Sequence, residues 1–150
     1  MKVDTTRFGT QEVDPETVLQ FPRGIPGFEH CHRFHLFHED HEHPVVYYLQ
    51  ALEDPDVTLS VVDPGQLGLS YEIPLTDTDV ENLAFAANDS VGVLLILSTR
   101  EDADSQRREP GSRITPHVTS PLLINARSRR GLQKHITGLE YSIHLRVPEV

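Results

Sequence analysis

Imidazole and thiol groups, which bind metals and carry nucleophilic chemistry, crowd into one stretch of this chain. Six of the nine histidines lie between residues 30 and 43, beside the single cysteine, Cys31. Imidazole nitrogen and thiolate sulfur are the ligands that zinc prefers. The spacing, however, matches no zinc finger or catalytic zinc motif, and on an extended strand His32 and His35 face opposite sides. The pattern therefore favours a solvated, titrating surface, and we predict no metal site and no cofactor.

Cys31 itself is flanked by His30 and His32, and a neighbouring imidazole can activate a thiol for nucleophilic attack. The sequence offers no third group that would orient the base and no oxyanion donor. It also contains no phosphate-binding glycine loop, no G-x-S-x-G and no H-E-x-x-H. We therefore predict that the protein is not an enzyme.

The charge balance limits the choice of partners. The chain has 23 acidic residues against 13 Lys and Arg, a net charge of −10 with neutral histidine. A surface of this sign repels phosphate backbones and favours basic partners. The densest basic spot, Arg127, Arg129 and Arg130, has no neighbouring aromatic residue on which a base could stack. We therefore predict no direct binding to nucleic acid.

The cysteine count and the N-terminal residues indicate the cellular compartment in which the protein is found. One cysteine excludes an internal disulfide, which agrees with a reducing compartment. Residues 1–7 carry an acid and have no apolar core of a signal peptide, and the longest apolar run, 91–97, has the length of a strand. We expect a soluble, cytoplasmic protein that does not enter a membrane.

Short apolar runs separated by Gly, Pro and Asp turns predict a single domain over 1–150, mostly β, with a small antiparallel barrel or sandwich. The strands are expected at 2–8, 17–21, 33–37, 45–49, 57–61, 91–99, 114–119, 121–125, 132–137 and 141–147. Residues 67–75 are too irregular to predict a strand. One short helix is expected near 77–86, capped by Thr76 or Thr78. Residues 132–137 and 141–147 are expected to pair through Gly138.

The 24–29 turn holds two glycines and Pro26 in six residues, so its backbone has few conformations available. It delivers the apolar pair Ile25 and Phe28, and then Glu29, to the strand at 33–37, in which Phe34 and Leu36 are expected to be core. Phe28 and Glu29 are a candidate anchor and charge for a basic partner, unless Phe28 is itself core. The candidate contact residues on the two turns of interest are Ile25, Phe28, Glu29, Asn125, Arg130 and Gln133. For the last three, a purely structural role in the second turn remains the alternative.

Four segments in series resemble the FliW family of flagellar assembly factors. They are GIPGFE at 24–29 followed by Arg33 and Phe34, YLQALEDPDV at 48–57, VVDP at 61–64, and SPLLINA at 120–126 with RGLQ at 130–133. The resemblance extends over nearly the whole chain. The histidine-rich residues 30–43 and the charged residues 100–113 depart from the family pattern, and Ala51 stands where Ser is common.

The resemblance implies a small β-barrel-like binding protein. Members of the family bind the RNA-binding translational repressor CsrA and also bind flagellin. When flagellin is exported, the freed protein takes CsrA off the flagellin message, so that subunit supply matches assembly. The alternative is a flagellin-specific chaperone without a regulatory role.

Overall fold

The structure is a computed structural model, and it describes residues 1–38, 46–99, 114–136 and 142–145. Strands dominate these residues, which confirms the mostly β prediction. The strands are β1 Lys2–Thr5, β2 Gly9–Glu12, β3 Leu19–Gln20, β4 Arg33–His38, β5 Val46–Ala51, β6 Thr58–Val62, β7 Leu69–Glu72, β8 Val91–Thr99, β9 Ile114–Pro116, β10 Leu122–Asn125, β11 Arg130–Gln133 and β12 Ser142–Leu145. The described part of the chain also contains one α-helix, α1 Asp77–Asn82, and two 3-10 helices, Pro15–Thr17 and Pro64–Leu67.

Seven of these strands close into a barrel in the order β10-β11-β3-β4-β5-β6-β8, with β8 pairing back onto β10. The pairs are antiparallel except for β11 with β3. The long strand β8 makes the closure possible, because its first part pairs with β10 and its later part with β6 and β9. The predicted antiparallel barrel is therefore confirmed. Strands β1 with β2, and β7 with β12, form two small separate sheets.

The barrel interior is filled by apolar side chains from several strands. Phe34 on β4 is completely buried, as predicted, and its ring meets that of Phe21 edge to face at a centroid distance of 5.3 Å. Leu36 is partly buried against the same core, which also contains Leu49 and Val61. Burying one such side chain stabilises the fold by about 1.5–3 kcal/mol.

Helix α1 begins where the sequence indicated but is shorter than expected. The Thr76 hydroxyl accepts a hydrogen bond from the N–H of Asp79 at 3.1 Å, and the Asp79 carboxylate accepts one from the N–H of Thr76 at 3.0 Å. This reciprocal pair is a capping box. The helix ends at Asn82 because Leu83 turns into a second small core and Ala84 takes a positive φ of 46°.

The N-terminal segment corrects the prediction of one strand over 2–8. The Thr5 hydroxyl accepts from the N–H of Phe8 at 2.7 Å and donates to the carbonyl of Gly9 at 2.8 Å, so the chain turns there. Such local hydroxyl bonds compete with strand pairing. Gly9 therefore begins β2, which pairs with β1, rather than ending the first strand.

Strand β7 corrects two further predictions. A strand was not expected at 67–75, and β12 was expected to pair with the chain just before it. Instead β12 pairs with β7, whereas β11 lies between β10 and β3. The turn at Gly138 lies outside the described residues. Strand β7 shows little alternation because Leu69, Ser70 and Tyr71 are all partly buried. Its partner β12 comes much later in the chain, a relation that local pattern does not show.

Two other expectations need smaller changes. Only Leu19–Gln20 of the predicted strand at 17–21 pairs as a strand, since Asp14 caps a 3-10 turn over Pro15–Thr17. The histidine-rich residues 39–43 and the charged residues 100–113 lie outside the described part of the chain.

No helix among the described residues is long and apolar enough to cross a membrane. The assignment of 1–150 to a single domain stays a prediction.

Gly131 on β11 is a position where the barrel has no room for a side chain. A Cβ at Gly131 would lie 2.6 Å from Cζ of the buried Phe21 ring. Because Phe21 is held in the core against Phe34, we expect Gly131→Ala to lower the free energy of unfolding by about 1–3 kcal/mol. Denaturant unfolding measures the change.

Gly92→Ala is the matched control on the neighbouring strand pair. A Cβ at Gly92 would lie 3.7 Å from the carbonyl oxygen of Ile124, an ordinary contact. We expect a change within about 0.5 kcal/mol. Equal losses in the two variants would contradict the packing described for Gly131.

Candidate functional site

The 24–29 turn connects β3 to β4 and has a fixed backbone. Gly24 and Gly27 have φ angles of 68° and 91°, which side chains other than glycine disfavour. A Cβ at Gly24 would also lie 3.3 Å from Cα of Glu29. The turn is closed by backbone hydrogen bonds from Phe28 to Ile25 at 2.7 Å and from Cys31 to Phe28 at 2.9 Å. The rigidity predicted from Gly and Pro is thus explained by the geometry.

The apolar pair of this turn is divided between interior and surface. Ile25 is 1% exposed and belongs to the barrel core. Phe28 forms a β-bridge with Ile25 and is half-buried, packed against the edge of the same core. Phe28 therefore supports the turn from one side and presents the rest of its ring to solvent. Ile25 contributes by holding the turn in place.

Glu29 is exposed at the exit of the turn. Its Oε1 accepts a hydrogen bond from the N–H of Gly27 at 3.0 Å. This bond, together with one from its own backbone N–H, holds the pKa of the Glu29 carboxyl below its usual value. Glu29 is therefore ionised at neutral pH and has a defined orientation.

A second turn, at 53–56 between β5 and β6, lies against residues 30–33, which directly follow the 24–29 turn. The Glu53 carboxylate accepts hydrogen bonds from the N–H groups of His32 and Arg33, both at 3.1 Å. The Asp54 carboxylate bonds to His30 Nε2 at 2.9 Å and to the N–H of Asp56 at 3.0 Å. These bonds, the one to His30 foremost, lower the pKa of the Asp54 carboxyl. Side chains of the 53–56 turn thus fix the chain that follows the 24–29 turn.

Gln50 holds the 53–56 turn from inside the protein. This side chain is fully buried at the end of β5. Its amide group donates to the carbonyls of Asp54 at 3.3 Å and Pro55 at 3.2 Å, and its oxygen accepts from the Thr58 hydroxyl at 2.5 Å. A buried amide is tolerated only when it is hydrogen-bonded in this way. On the outside, the hydroxyl of Thr6 donates to the carboxylate of Asp56.

The two turns together form a surface that we call the acidic end of the barrel. It consists of Glu29, Glu53, Asp54 and Asp56. The His30 imidazole bonds Asp54, and Nε of Arg33 lies 3.7 Å from the Glu53 carboxylate. The carboxylates are already aimed by backbone and side-chain hydrogen bonds, so a partner would not have to order them. Such preorganisation lowers the entropic cost of binding.

The other predicted contact residues, Asn125, Arg130 and Gln133, lie on the two strands that the 126–129 turn connects, and this turn is not part of the acidic end. Strand β11 runs parallel to β3. The 126–129 turn comes before β11, whereas the 24–29 turn comes after β3. The two turns therefore lie at opposite ends of the barrel. Arg130, at the start of β11, lines a polar cavity of about 360 Å³ with Arg33 and Arg129. Gln133, at the other end of β11, donates to the carbonyl of Ser120 at 3.1 Å.

Asn125 is 1% exposed and holds the 126–129 turn together. Its amide donates to the carbonyl of Leu83 at 3.1 Å and to the Asp89 carboxylate at 3.0 Å, and its oxygen accepts from the N–H of Arg127 at 3.2 Å. Arg127 in turn bonds the Asp89 carboxylate through Nε at 2.7 Å. The geometry thus supports a structural role for Asn125 in this turn. For Arg130 and Gln133, contact with a partner stays a prediction.

The structure also brings together three metal-ligating side chains that the spacing did not group. His30, Cys31 and Asp54 place one ligand atom each within 4.8 Å of the others. Cys31 is completely buried, and burial, followed by the charges of Glu53 and Asp54, raises the pKa of its thiol. Asp54 was missed because it comes from the other turn. A signal for it was the D-P-D tip, which marks a turn but not what the turn faces.

Comparisons with known proteins agree with this geometry. A sequence profile described as FliW protein matches residues 2–147. A flagellar assembly factor FliW from Azoarcus sp. (strain BH72) is 41% identical over 97% of this chain and 98% of its own, and one from Chromobacterium violaceum is 38% identical over 99% and 100%. A crystal structure of the flagellar assembly factor FliW superposes with a TM-score of 0.75 at 26% identity, over 97% of this chain and 96% of that one.

The fold and these matches define a small β-barrel protein of the flagellar assembly factor class. The chain belongs to the FliW family. The family resemblance of the four sequence segments is thereby confirmed.

Asp89 lies at the end of the barrel opposite the acidic end, and its carboxylate should make the stability of the fold depend on pH. Hydrogen bonds from the N–H of Ala86 and from Asn125 and Arg127 lower the pKa of the Asp89 carboxyl from its usual 3.8 to about 2. A lowered pKa means that the ionised form stabilises the fold fully above about pH 4 and that this stabilisation is lost as pH falls through 2. Asp89→Asn should therefore be less stable than the parent protein at pH 7, and the difference should shrink between pH 4 and pH 2.

Urea unfolding at a series of pH values measures this difference. Asp77→Asn on the exposed face of α1 is the control for a general loss of one negative charge. A difference between parent and Asp89→Asn that is the same at pH 7 and pH 2 would contradict the assigned role of the carboxylate.

Proposed function

We propose that this protein binds the translational repressor CsrA and flagellin, and relieves repression of flagellin translation when flagellin is exported. In the cytoplasm, abundant flagellin would occupy the protein, and export of flagellin would free it for CsrA. The role is binding rather than catalysis. Membership of the FliW family and the sequence resemblance support this proposal, and the acidic end supplies a physical reason for it.

The observation that carries the proposal is the set of fixed carboxylates at the acidic end. An RNA-binding repressor must present basic residues to phosphate, so it has a surface of the opposite sign. Opposite potentials accelerate encounter and set the orientation of the complex. The pKa values of the Glu29 and Asp54 carboxyls are lowered, so both groups stay ionised to a more acidic pH than free carboxyls do.

Phe28 supplies the apolar component of the same surface. Its half-buried ring lies one residue before Glu29, on a turn whose backbone is fixed by Gly24 and Gly27. Interface energy is concentrated in such aromatic anchors, whereas rim charges contribute mainly to rate and specificity. In this proposal Phe28 and Glu29 contact CsrA together.

Removing charge from the acidic end tests the proposal without removing its hydrogen-bond acceptors. The double variant Glu29→Gln, Asp56→Asn keeps an oxygen for Gly27 and one for Thr6 but removes two negative charges. We expect association with CsrA from the same organism to slow by about tenfold at low ionic strength, with a weaker dependence on salt. Surface plasmon resonance at several salt concentrations measures both quantities.

The double variant Glu16→Gln, Glu81→Gln is the matched control, because both residues are exposed and lie outside the two turns. It should bind CsrA as the parent protein does. If the parent protein forms no complex with CsrA at micromolar concentration and moderate salt, the proposal is wrong. Binding to flagellin with no effect of gene deletion on translation of the flagellin message would instead establish the chaperone alternative.

A further inference from the structure

We propose that His30, Cys31 and Asp54 form a binding site for a divalent transition-metal ion, with Zn²⁺ as the best fit. The inference goes beyond the proposed partner binding and does not depend on it. It comes from the convergence of an imidazole, a thiol and a carboxylate from two turns, with their ligand atoms within 4.8 Å of one another. The linear spacing of the histidines gave no reason to expect it.

The distances suit a metal with small adjustments. Zinc bonds of 2.0–2.3 Å in a tetrahedron place ligand atoms about 3.3–3.8 Å apart. Nε2 of His30 already lies 2.9 Å from Oδ2 of Asp54, so an ion would replace that hydrogen bond and draw the sulfur of Cys31 closer. His30 is exposed and can rotate. Three protein ligands and one water make up an open zinc site.

The backbone of the site is held in place before any metal arrives. The N–H of Cys31 donates to the carbonyl of Phe28 at 2.9 Å, and the carbonyl of His32 accepts from the N–H of Phe21 at 2.7 Å. Oδ1 of Asp54 accepts from the N–H of Asp56, which leaves Oδ2 directed at His30. Little of the binding energy would be spent on ordering the loop.

The donor set also selects the class of ion. Sulfur and imidazole nitrogen favour zinc and similar ions, whereas magnesium and calcium require oxygen ligands. A cysteine binds a metal ion as the thiolate, so Cys31 has to lose its thiol proton when it becomes a ligand. Binding therefore breaks the S–H bond, forms a metal–sulfur bond and releases one proton to solvent, so affinity should increase with pH.

An ion at this site would join the 53–56 turn to residues 30 and 31, which directly follow the 24–29 turn. It would add two positive charges while the thiol loses one proton, so the net change at the surface is +1. Metal occupancy would thus both stiffen the turns and reduce the negative potential that faces a basic partner.

Titration of the metal-free, full-length protein with Co²⁺ tests the proposal. We expect a thiolate-to-cobalt charge-transfer band in the near ultraviolet, intense visible bands of a tetrahedral site, and displacement of both by Zn²⁺. Cys31→Ser should abolish the charge-transfer band. His30→Ala, which changes an exposed side chain and should leave the fold intact, should weaken binding by at least about tenfold.

His135→Ala is the matched control, because it removes an exposed histidine from another loop, where His135 bonds Ser120. It should retain the cobalt spectrum and affinity, and Mg²⁺ should not displace the ion. Cobalt binding without a charge-transfer band, or unchanged binding in His30→Ala, would overturn the proposal. Because these spectra are recorded without CsrA or flagellin, their failure is distinct from a failure of partner binding.

Discussion

The closure of the barrel through β8 is the constraint on which the rest of this structure depends. Residues Val91–Thr99 form a strand long enough to pair with β10 along its first half and with β6 and β9 further on. Without that double pairing the sheet would be open, with unsatisfied edges at β10 and β8. Closure pairs these backbone groups internally, and what remains available for recognition is mainly side chains at the ends of the barrel and in its turns.

The acidic end follows from this arrangement. The turns at 24–29 and 53–56 connect consecutive barrel strands, so both are anchored at their bases by strand pairing. Side-chain carboxylates then satisfy backbone N–H groups that have no partner in the sheet, as Glu53 does for His32 and Arg33. The same bonds that complete the fold also orient the carboxylates. The carboxylates thus have a structural role in the turns, so their charge is present without loosening the backbone.

Local signals predicted the parts of the structure that local physics determines. Alternation predicted Phe34 as core, and a threonine cap at Thr76 or Thr78 predicted where α1 begins. Pairing between distant segments was not accessible in this way: β7 finds its partner in β12, and Gly131 is required because Phe21 from another strand fills its space. For the same reason the sequence indicated Phe28 and Glu29 as a candidate surface but not the meeting of Cys31 with Asp54, which depends on how two separate turns pack.

Hydrogen–deuterium exchange of this protein with and without CsrA is the most direct test of the acidic end as the docking surface. If CsrA docks on the acidic end, backbone amides in 24–31 and 53–57 exchange more slowly in the complex, and exchange at the 126–129 turn is unchanged. Protection confined to the 126–129 turn, or none at 24–31 under conditions where the complex is saturated, would contradict docking there.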